Sequence, residues 1–316
     1  MGSQQVTSIA HWLKNWIPTT AVKEVSLEII GGEPLLNIEP LADINHVLEA
    51  LNISVSASLI TNGLLLDRNI ITKLVEQKVN KIQITFDGPR EIHDAIKSID
   101  GKGTFDHLYN ICKDILLSEI RLHLRVNYPP GRRDLALETL HQLKGLVNEK
   151  SKICVYFSQI FDKNDRHSFL DILQSDEFAL EREAIKLGFT IPFPMGAPIC
   201  SGNSDTGFVI TPNNEVYKCY GFVGENQHKV GIIENGELII SSYGAISQKP
   251  RDECVPCKYF PICNGGCKVQ RHFSETNDEQ LYCSIERYDR TANELLPLFL
   301  EAEFKDALLS LSKERS

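Results

Sequence analysis

The chain has 316 residues, enough for one large α/β domain or two modest ones, and its 42% hydrophobic and 24% charged residues are ordinary globular usage that argues against disorder. No stretch reaches the roughly 18 to 20 uninterrupted apolar residues that a membrane-spanning helix needs, so no membrane partner is expected. Thirty-three basic against 42 acidic side chains leave a net charge of −9, which argues against an electrostatic hold on nucleic acid or anionic lipid.

The first residues lack a basic stretch followed by an apolar one, so no secretory signal is read there and a cytoplasmic location is expected. Ile9, Trp12, Leu13, Trp16 and Ile17 recur at spacings of three and four, which predicts a helix over 9–17 with one core-facing side. Strands are then predicted over 25–30, 55–60, 81–86, 122–127 and 153–157, alternating with helices over 40–51, 69–77, 105–117 and 135–148. That rhythm implies right-handed crossovers and a parallel sheet of five strands.

Parallel α/β sheets bind ligands at the carboxyl ends of their strands, where this chain places Gly31-Gly32-Glu33-Pro34, Thr61-Asn62-Gly63, Asp87-Gly88-Pro89 and Tyr128-Pro129-Pro130-Gly131. Each is ordinary turn chemistry taken alone. Together, four such turns on one rim make a floor for a polar small molecule. His93-Asp94 reads as a packing or capping pair, and Cys112 and Cys154 as buried apolar residues.

The pattern changes at Phe193-Pro194-Met195-Gly196-Ala197-Pro198, where the domain boundary is placed. Short hairpins follow: 207–211 with 215–218 around Pro212-Asn213-Asn214, and a pair within 230–240 turning at Glu234-Asn235-Gly236. A last helical segment over 285–311 carries Leu295, Leu298, Phe304, Leu308 and Leu311 and is interrupted by Pro297.

Seven of the nine cysteines lie between Cys200 and Cys283. Cys254-x2-Cys257 is followed after five residues by Cys263, after three by Cys267 and after fifteen by Cys283, in a stretch kept irregular by Pro256, Pro261, Gly265 and Gly266. In a reducing compartment such spacing points to metal rather than disulfides, and both zinc and iron–sulfur sites use it. Seven ligands cannot fill two four-thiolate sites, so one position is open, is filled by another residue type, or one cysteine is a bystander.

The order Cys200, eighteen residues, Cys219, the cysteine run to Cys267, then Cys283 resembles the SPASM domain appended to many radical SAM peptide-modifying enzymes. Asn214 stands where that family has a glycine five positions before the second cysteine, a mild change because asparagine tolerates left-handed backbone. The turns at Gly31-Gly32-Glu33-Pro34, Thr61-Asn62-Gly63 and Asp87-Gly88-Pro89 resemble the radical SAM partial barrel. The resemblance covers 25–283 and implies an α/β fold: a truncated radical SAM-like partial (β/α) barrel over 1–192, a small cysteine-rich SPASM domain over 193–285 and a carboxyl-terminal helical segment over 286–316.

It implies two [4Fe–4S] clusters, the first on Cys200, Cys219 and Cys267 and the second on Cys254, Cys257, Cys263 and Cys283. Some members have a further cysteine where Thr206 stands, so the first cluster would have an open iron or take Asp205 or a bound ligand. Tyr220 replaces the carboxylate that some members carry after the second cysteine, and no catalytic role is transferred to it.

No Cys-x3-Cys-x2-Cys segment is present. Radical initiation is therefore not expected, S-adenosylmethionine is not expected as a cofactor, and Gly31, Gly32, Glu33 and Thr61 are read as vestigial positions of its site, with Arg125 beside them. The nearest group by resemblance is the SPASM domain peptide maturase of grasp-with-spasm systems, which implies a ribosomal precursor peptide and an ATP-grasp ligase as partners. The alternatives are a zinc-stabilised peptide-binding module and an incomplete copy of an active radical SAM enzyme.

Overall fold

The computed structural model describes residues 1–148, 153–160, 177–193, 195, 200–241, 252–267, 269, 272, 283 and 285–304. Pro194 and Gly196-Ala197-Pro198 of the expected boundary, and Leu308 and Leu311 of the last expected helix, lie outside the described residues. Contacts divide the chain into two compact units. One comprises Met1–Val25, Asn37–Val55 and Met195–Asp289, the other Ser26–Leu36, Ser56–Pro194 and Arg290–Ser316.

Five strands, β1 (Glu24–Ile29), β2 (Ser54–Thr61), β3 (Val79–Phe86), β6 (Arg121–Tyr128) and β7 (Cys154–Gln159), form one sheet in the order β1-β2-β3-β6-β7. The β2–β3, β3–β6 and β6–β7 pairs are parallel. All five strands read from the sequence are present. Between them run α2 (Pro40–Ala50), α3 (Arg68–Glu76), α4 (Arg90–Ile96), α5 (Phe105–Leu116) and α6 (Arg133–Leu143), with a small hairpin of β4 (Ser98–Ile99) and β5 (Lys102–Gly103) before α5. A further helix, α7 (Phe178–Lys186), follows β7 and buries Phe178, Leu180 and Ala184.

Register assigns the two faces of the sheet different characters. Ile82, Ile84 and Phe86 of β3 pair with Leu122, Leu124 and Val126 of β6, and Leu124 and Val126 pair with Val155 and Phe157 of β7; all are buried. Phe105 of α5 meets Phe86 on this side at a centroid distance of 5.0 Å. Gly63, at φ +78, turns the chain beneath α5, and a Cβ there would stand 2.8 Å from Leu108 Cδ2. Gly63→Ala is expected to destabilise the protein by about 2 kcal/mol through left-handed strain and overpacking, measured by thermal or urea unfolding.

In the other unit α1 (Ser3–Trp16) buries Val6, Ile9, Ala10, Trp12 and Leu13, so the apolar stripe predicted over 9–17 is a helix face that starts one turn earlier. Trp12 and Trp16 stack at 5.2 Å, and both meet the edge of Phe208, at 5.6 and 5.4 Å. A four-stranded antiparallel sheet, ordered β11-β10-β9-β8, is built from β8 (Val209–Ile210), β9 (Glu215–Tyr217), β10 (Gly231–Glu234) and β11 (Glu237–Ile240). Asn235 and Gly236, at φ 49 and 82, make the expected tight turn, and the Gly236 amide donates to Ser8 Oγ of α1 at 3.3 Å. Asn214 adopts φ 61, the left-handed backbone anticipated for a residue in a glycine position.

In the irregular stretch after the hairpins the described residues include a short helix, α8 (Phe260–Cys263), and near the end α9 (Ile285–Arg290), a π-helical turn Thr291–Leu295 and α10 (Leu296–Glu303). Pro297 does not break this helix. Its missing N–H and its ring, which would crowd the carbonyl four residues back, are accommodated by widening the preceding turn. Among the described residues no helix is long and apolar enough to cross a membrane.

Candidate functional site

At the carboxyl ends of β1 and β2 the turns are tied together by Glu33. Its Oε1 accepts from the Leu35 amide at 3.0 Å and from Thr61 Oγ1 at 2.7 Å, and its Oε2 accepts from the Asn62 amide at 2.8 Å. Thr61 Oγ1 in turn accepts from the Gly63 amide at 3.0 Å. Gly31 and Gly32 are exposed, with open space where a Cβ would project, so a ligand can approach this backbone closely. The structure thus brings Glu33 and Thr61 together, and occupies the Glu33 carboxylate with protein donors.

The second face of the sheet is polar. Lys81, Gln83 and Thr85 of β3 pair with Arg121, His123 and Arg125 of β6, and Arg125 and Asn127 pair with Tyr156 and Ser158 of β7. Near the strand ends Arg125 donates from Nε to Asn127 Oδ1 and from a terminal nitrogen to Ser158 Oγ, both at 2.9 Å. Asn127 Nδ2 donates to Asp87 Oδ1 at 2.7 Å, and Lys97 pairs with the same carboxylate at 2.6 Å. Parallel sheets are ordinarily apolar on both faces, so this lining marks a surface kept for polar contents. Arg125 is among the residues expected near this rim and Lys81 and His123 are not, although the polar alternation in 81–86 and 122–127 carries the signal.

Burial, reinforced by the Lys81 and Arg121 cations, pulls the His123 imidazole down to about 4 from an ordinary 6.5. His123 is therefore neutral in the folded protein at pH 7. As pH falls from 6.5 toward 4, the unfolded chain binds a proton that the folded chain refuses, so stability is lost across that window. His123→Gln is expected to remove about 2 kcal/mol of this acid sensitivity, after allowance for partial water access, when urea unfolding at pH 7 and at pH 4.5 is compared between variant and parent.

His93 is fully buried and serves the fold. Its Nδ1 accepts from the Asp87 amide at 3.1 Å and its Nε2 lies 3.1 Å from Thr104 Oγ1, while burial lowers its proton affinity. Asp94 Oδ1 accepts from the Phe105 amide at 2.8 Å, a cap on the first turn of α5. The pair packs and caps, the role expected from the sequence. Burial pushes the Cys154 thiol up to about 11 and the Cys112 thiol well above its ordinary range, which suits inert core positions.

The other seven cysteines carry free thiols, four partly accessible and three exposed. Two groupings emerge. Burial raises the Cys219 thiol, the Gly221 amide at 3.4 Å opposes this, and Cys267 and Cys200 are near enough to raise it further. Burial likewise raises the Cys263 thiol, the Gly266 and Gly265 amides oppose it, and Cys283 and Cys254 are near enough to add to it. Cys257 joins Cys254 through a tight turn, its amide donating to the Cys254 carbonyl at 3.0 Å.

Among the described residues no three His, Cys, Asp or Glu side chains converge closely enough to hold a single metal ion. Within each grouping the sulfurs stand in electrostatic reach of one another. Thr206 and Asp205, the positions considered for a further ligand, lie in a turn where the Thr206 amide donates to Ser204 Oγ at 3.2 Å and Lys218 Nζ donates to the Asp205 carbonyl at 3.4 Å.

No family model matches the chain. The Cysteine-type anaerobic sulfatase-maturating enzyme of Clostridium perfringens (strain 13 / Type A) is 28% identical over 295 residues, covering 80% of this chain and 77% of that protein. The solved structure of native anSMEcpe with bound AdoMet and Cp18Cys peptide superposes with a TM-score of 0.62 at 19% identity, covering 100% of this chain and 92% of that one. The fold is radical SAM-like. Streptococcus suis SuiB bound to precursor peptide SuiA shares it at a TM-score of 0.51 and 15% identity, over 89% of this chain and 68% of that one. The α/β architecture expected from the sequence is the one these neighbours share, and the rim bearing Glu33 and Thr61 lies at the carboxyl ends of the strands of this radical SAM-like sheet.

Proposed function

We propose that this chain is an iron–sulfur protein that takes part in maturing a ribosomally made peptide in the cytoplasm, as an accessory or peptide-binding component beside an ATP-grasp ligase. The observation that carries the reading is the grouping of thiols around Cys219 and around Cys263. Two [4Fe–4S] clusters would take Cys200, Cys219 and Cys267, and Cys254, Cys257, Cys263 and Cys283. Zinc would take four sulfurs on one ion, with Zn–S near 2.3 Å, whereas a cubane spreads its thiolates over four irons; the resemblance of the cysteine order to the SPASM domain is what favours clusters over the zinc alternative. A bound cluster supplies one-electron transfer.

The peptide-bound neighbours and the maturating-enzyme relative support a peptide as partner. β1 stands at one edge of its sheet, and an edge strand can accept an extended peptide by strand addition. The grasp-with-spasm assignment rests on the resemblance of the cysteine order.

A second reading, an incomplete copy of an active radical SAM peptide-modifying enzyme, is favoured by the AdoMet bound in anSMEcpe. Anaerobic, iron-loaded protein incubated with dithionite and S-adenosylmethionine separates the two. The accessory reading expects no 5′-deoxyadenosine, because Glu33 and Thr61 are engaged in tying turns and the 316 residues hold no Cys-x3-Cys-x2-Cys. Accumulation of that product would favour the enzyme.

A further inference from the structure

The half-buried ammonium of Lys218 sits in a cradle of main-chain oxygens. Its Nζ donates to the Ser204 and Gly207 carbonyls, both at 2.6 Å, and to the Asp205 carbonyl at 3.4 Å, and it lies 4.4 Å from the centroid of the Phe208 ring. Three carbonyl dipoles aimed at one point repel one another unless a cation stands between them. Lys218 supplies that cation.

The cradle belongs to a loop closed on itself, and Cys200 opens that loop. The Ser204 amide donates back to the Cys200 carbonyl at 3.1 Å, and the Gly207 amide donates to the Ser204 carbonyl at 3.4 Å. Gly207 passes so near the start of the loop that a Cβ there would stand 2.8 Å from Ser201 Cα. Lys218 reaches the cradle from a fixed base. Pairing of Val209 in β8 with Tyr217 in β9 sets Lys218 beside Phe208, whose ring packs edge-on to Trp12 and Trp16 at 5.6 and 5.4 Å. Cys219 follows Lys218 directly. One side chain thus ties the loop that opens with Cys200 to the strand end that leads into Cys219, across the eighteen residues between the two cysteines.

Resting on the two-cluster reading above, we infer that Lys218 is a positioning residue for the first cluster: its ammonium holds the 200–207 loop against the end of β9 so that Cys200 and Cys219 present their sulfurs to one cluster. Without the charge, the part-buried carbonyls of Ser204 and Gly207 lose their charged donor. The loop then gains by opening to water, and Cys200 moves with it. Lys218→Met removes the donors and the charge while keeping an apolar stem of similar length over Phe208.

The test compares parent, Lys218→Met and Lys229→Met, the last a lysine that pairs instead with Glu215 at 3.0 Å. Full-length protein is freed of metal by chelation under reducing conditions and treated with dibromobimane, which bridges neighbouring thiols, and the bridged cysteines are identified by peptide mass mapping. In Lys218→Met the Cys200–Cys219 bridge is expected to form about tenfold more slowly, the population change that loss of one hydrogen bond to a charged group produces, while the Cys254–Cys257 bridge keeps its parental rate. Iron-loaded Lys218→Met is expected to lose one electron paramagnetic resonance signal, the same one that Cys267→Ala loses. Lys229→Met is expected to match the parent in both measurements. Absence of the Cys200–Cys219 bridge in the parent, an unchanged rate in Lys218→Met, an equal slowing of both bridges, or loss of the signal that Cys283→Ala loses would each overturn the positioning role. Parent protein devoid of iron would instead overturn the two-cluster reading, and the bridging rates would still decide whether Lys218 joins the two cysteines.

Discussion

Cys283→Ala and Cys267→Ala are each expected to lose about half the iron and sulfide of anaerobically purified protein, and the losses are expected to concern different clusters. Cys283 shares electrostatic reach with Cys263 and Cys254, whereas Cys267 shares it with Cys219. A cubane short of one thiolate in a partly exposed, loop-rich setting is open to solvent and to loss of iron. Because thiolate–metal bonds form only in the folded state, their free energy is folding free energy, on the order of 10 kcal/mol for a structural site. Each variant is therefore also expected to melt earlier. Metal and sulfide analysis with electron paramagnetic resonance reads the result, and the double variant is expected to hold neither cluster. Loss of the same signal in both single variants would contradict the partition.

Glu33→Ala is expected to destabilise the sheet-bearing unit by about 2–4 kcal/mol, since three donors lose a charged acceptor at once. Leu35 and Asn62 offer backbone amides and Thr61 a hydroxyl, all part-buried, so water replaces the carboxylate only in part. Glu33→Gln restores one oxygen and turns an NH2 group toward a donor, so it is expected to recover less than half of the loss. Urea unfolding followed by far-ultraviolet circular dichroism measures both. A change under 0.5 kcal/mol for Glu33→Ala would show that the turn holds without this tie.

Much of the sheet was legible because its strands and helices are long enough to show a period. Residues 122–127 and 135–148 were read within a few positions of β6 and α6. What escaped was short or set by tertiary contact. The seven residues of α4 follow Pro89 with too few turns to repeat an apolar face, and β4 and β5 have two residues each. The packing of α1 with β10 and β11 joins residues more than two hundred positions apart, as Ser8 and Gly236 do, and no local pattern encodes it.

The site divides the same way. Cysteine spacing makes the seven sulfurs visible, and the carboxyl-end rule points to Glu33 and Thr61, which the fold joins by a hydrogen bond. His123 and Lys81 sit within strands rather than at their carboxyl ends, so the carboxyl-end rule does not reach them, and only the polar alternation of 81–86 and 122–127 points to them.

The most direct measurement is the iron and acid-labile sulfide content of the pure chain prepared without oxygen. About eight of each per chain, with a brown absorbance bleached by dithionite, is the expected result for two [4Fe–4S] clusters. Colourless protein carrying zinc, or no metal at all, would contradict it.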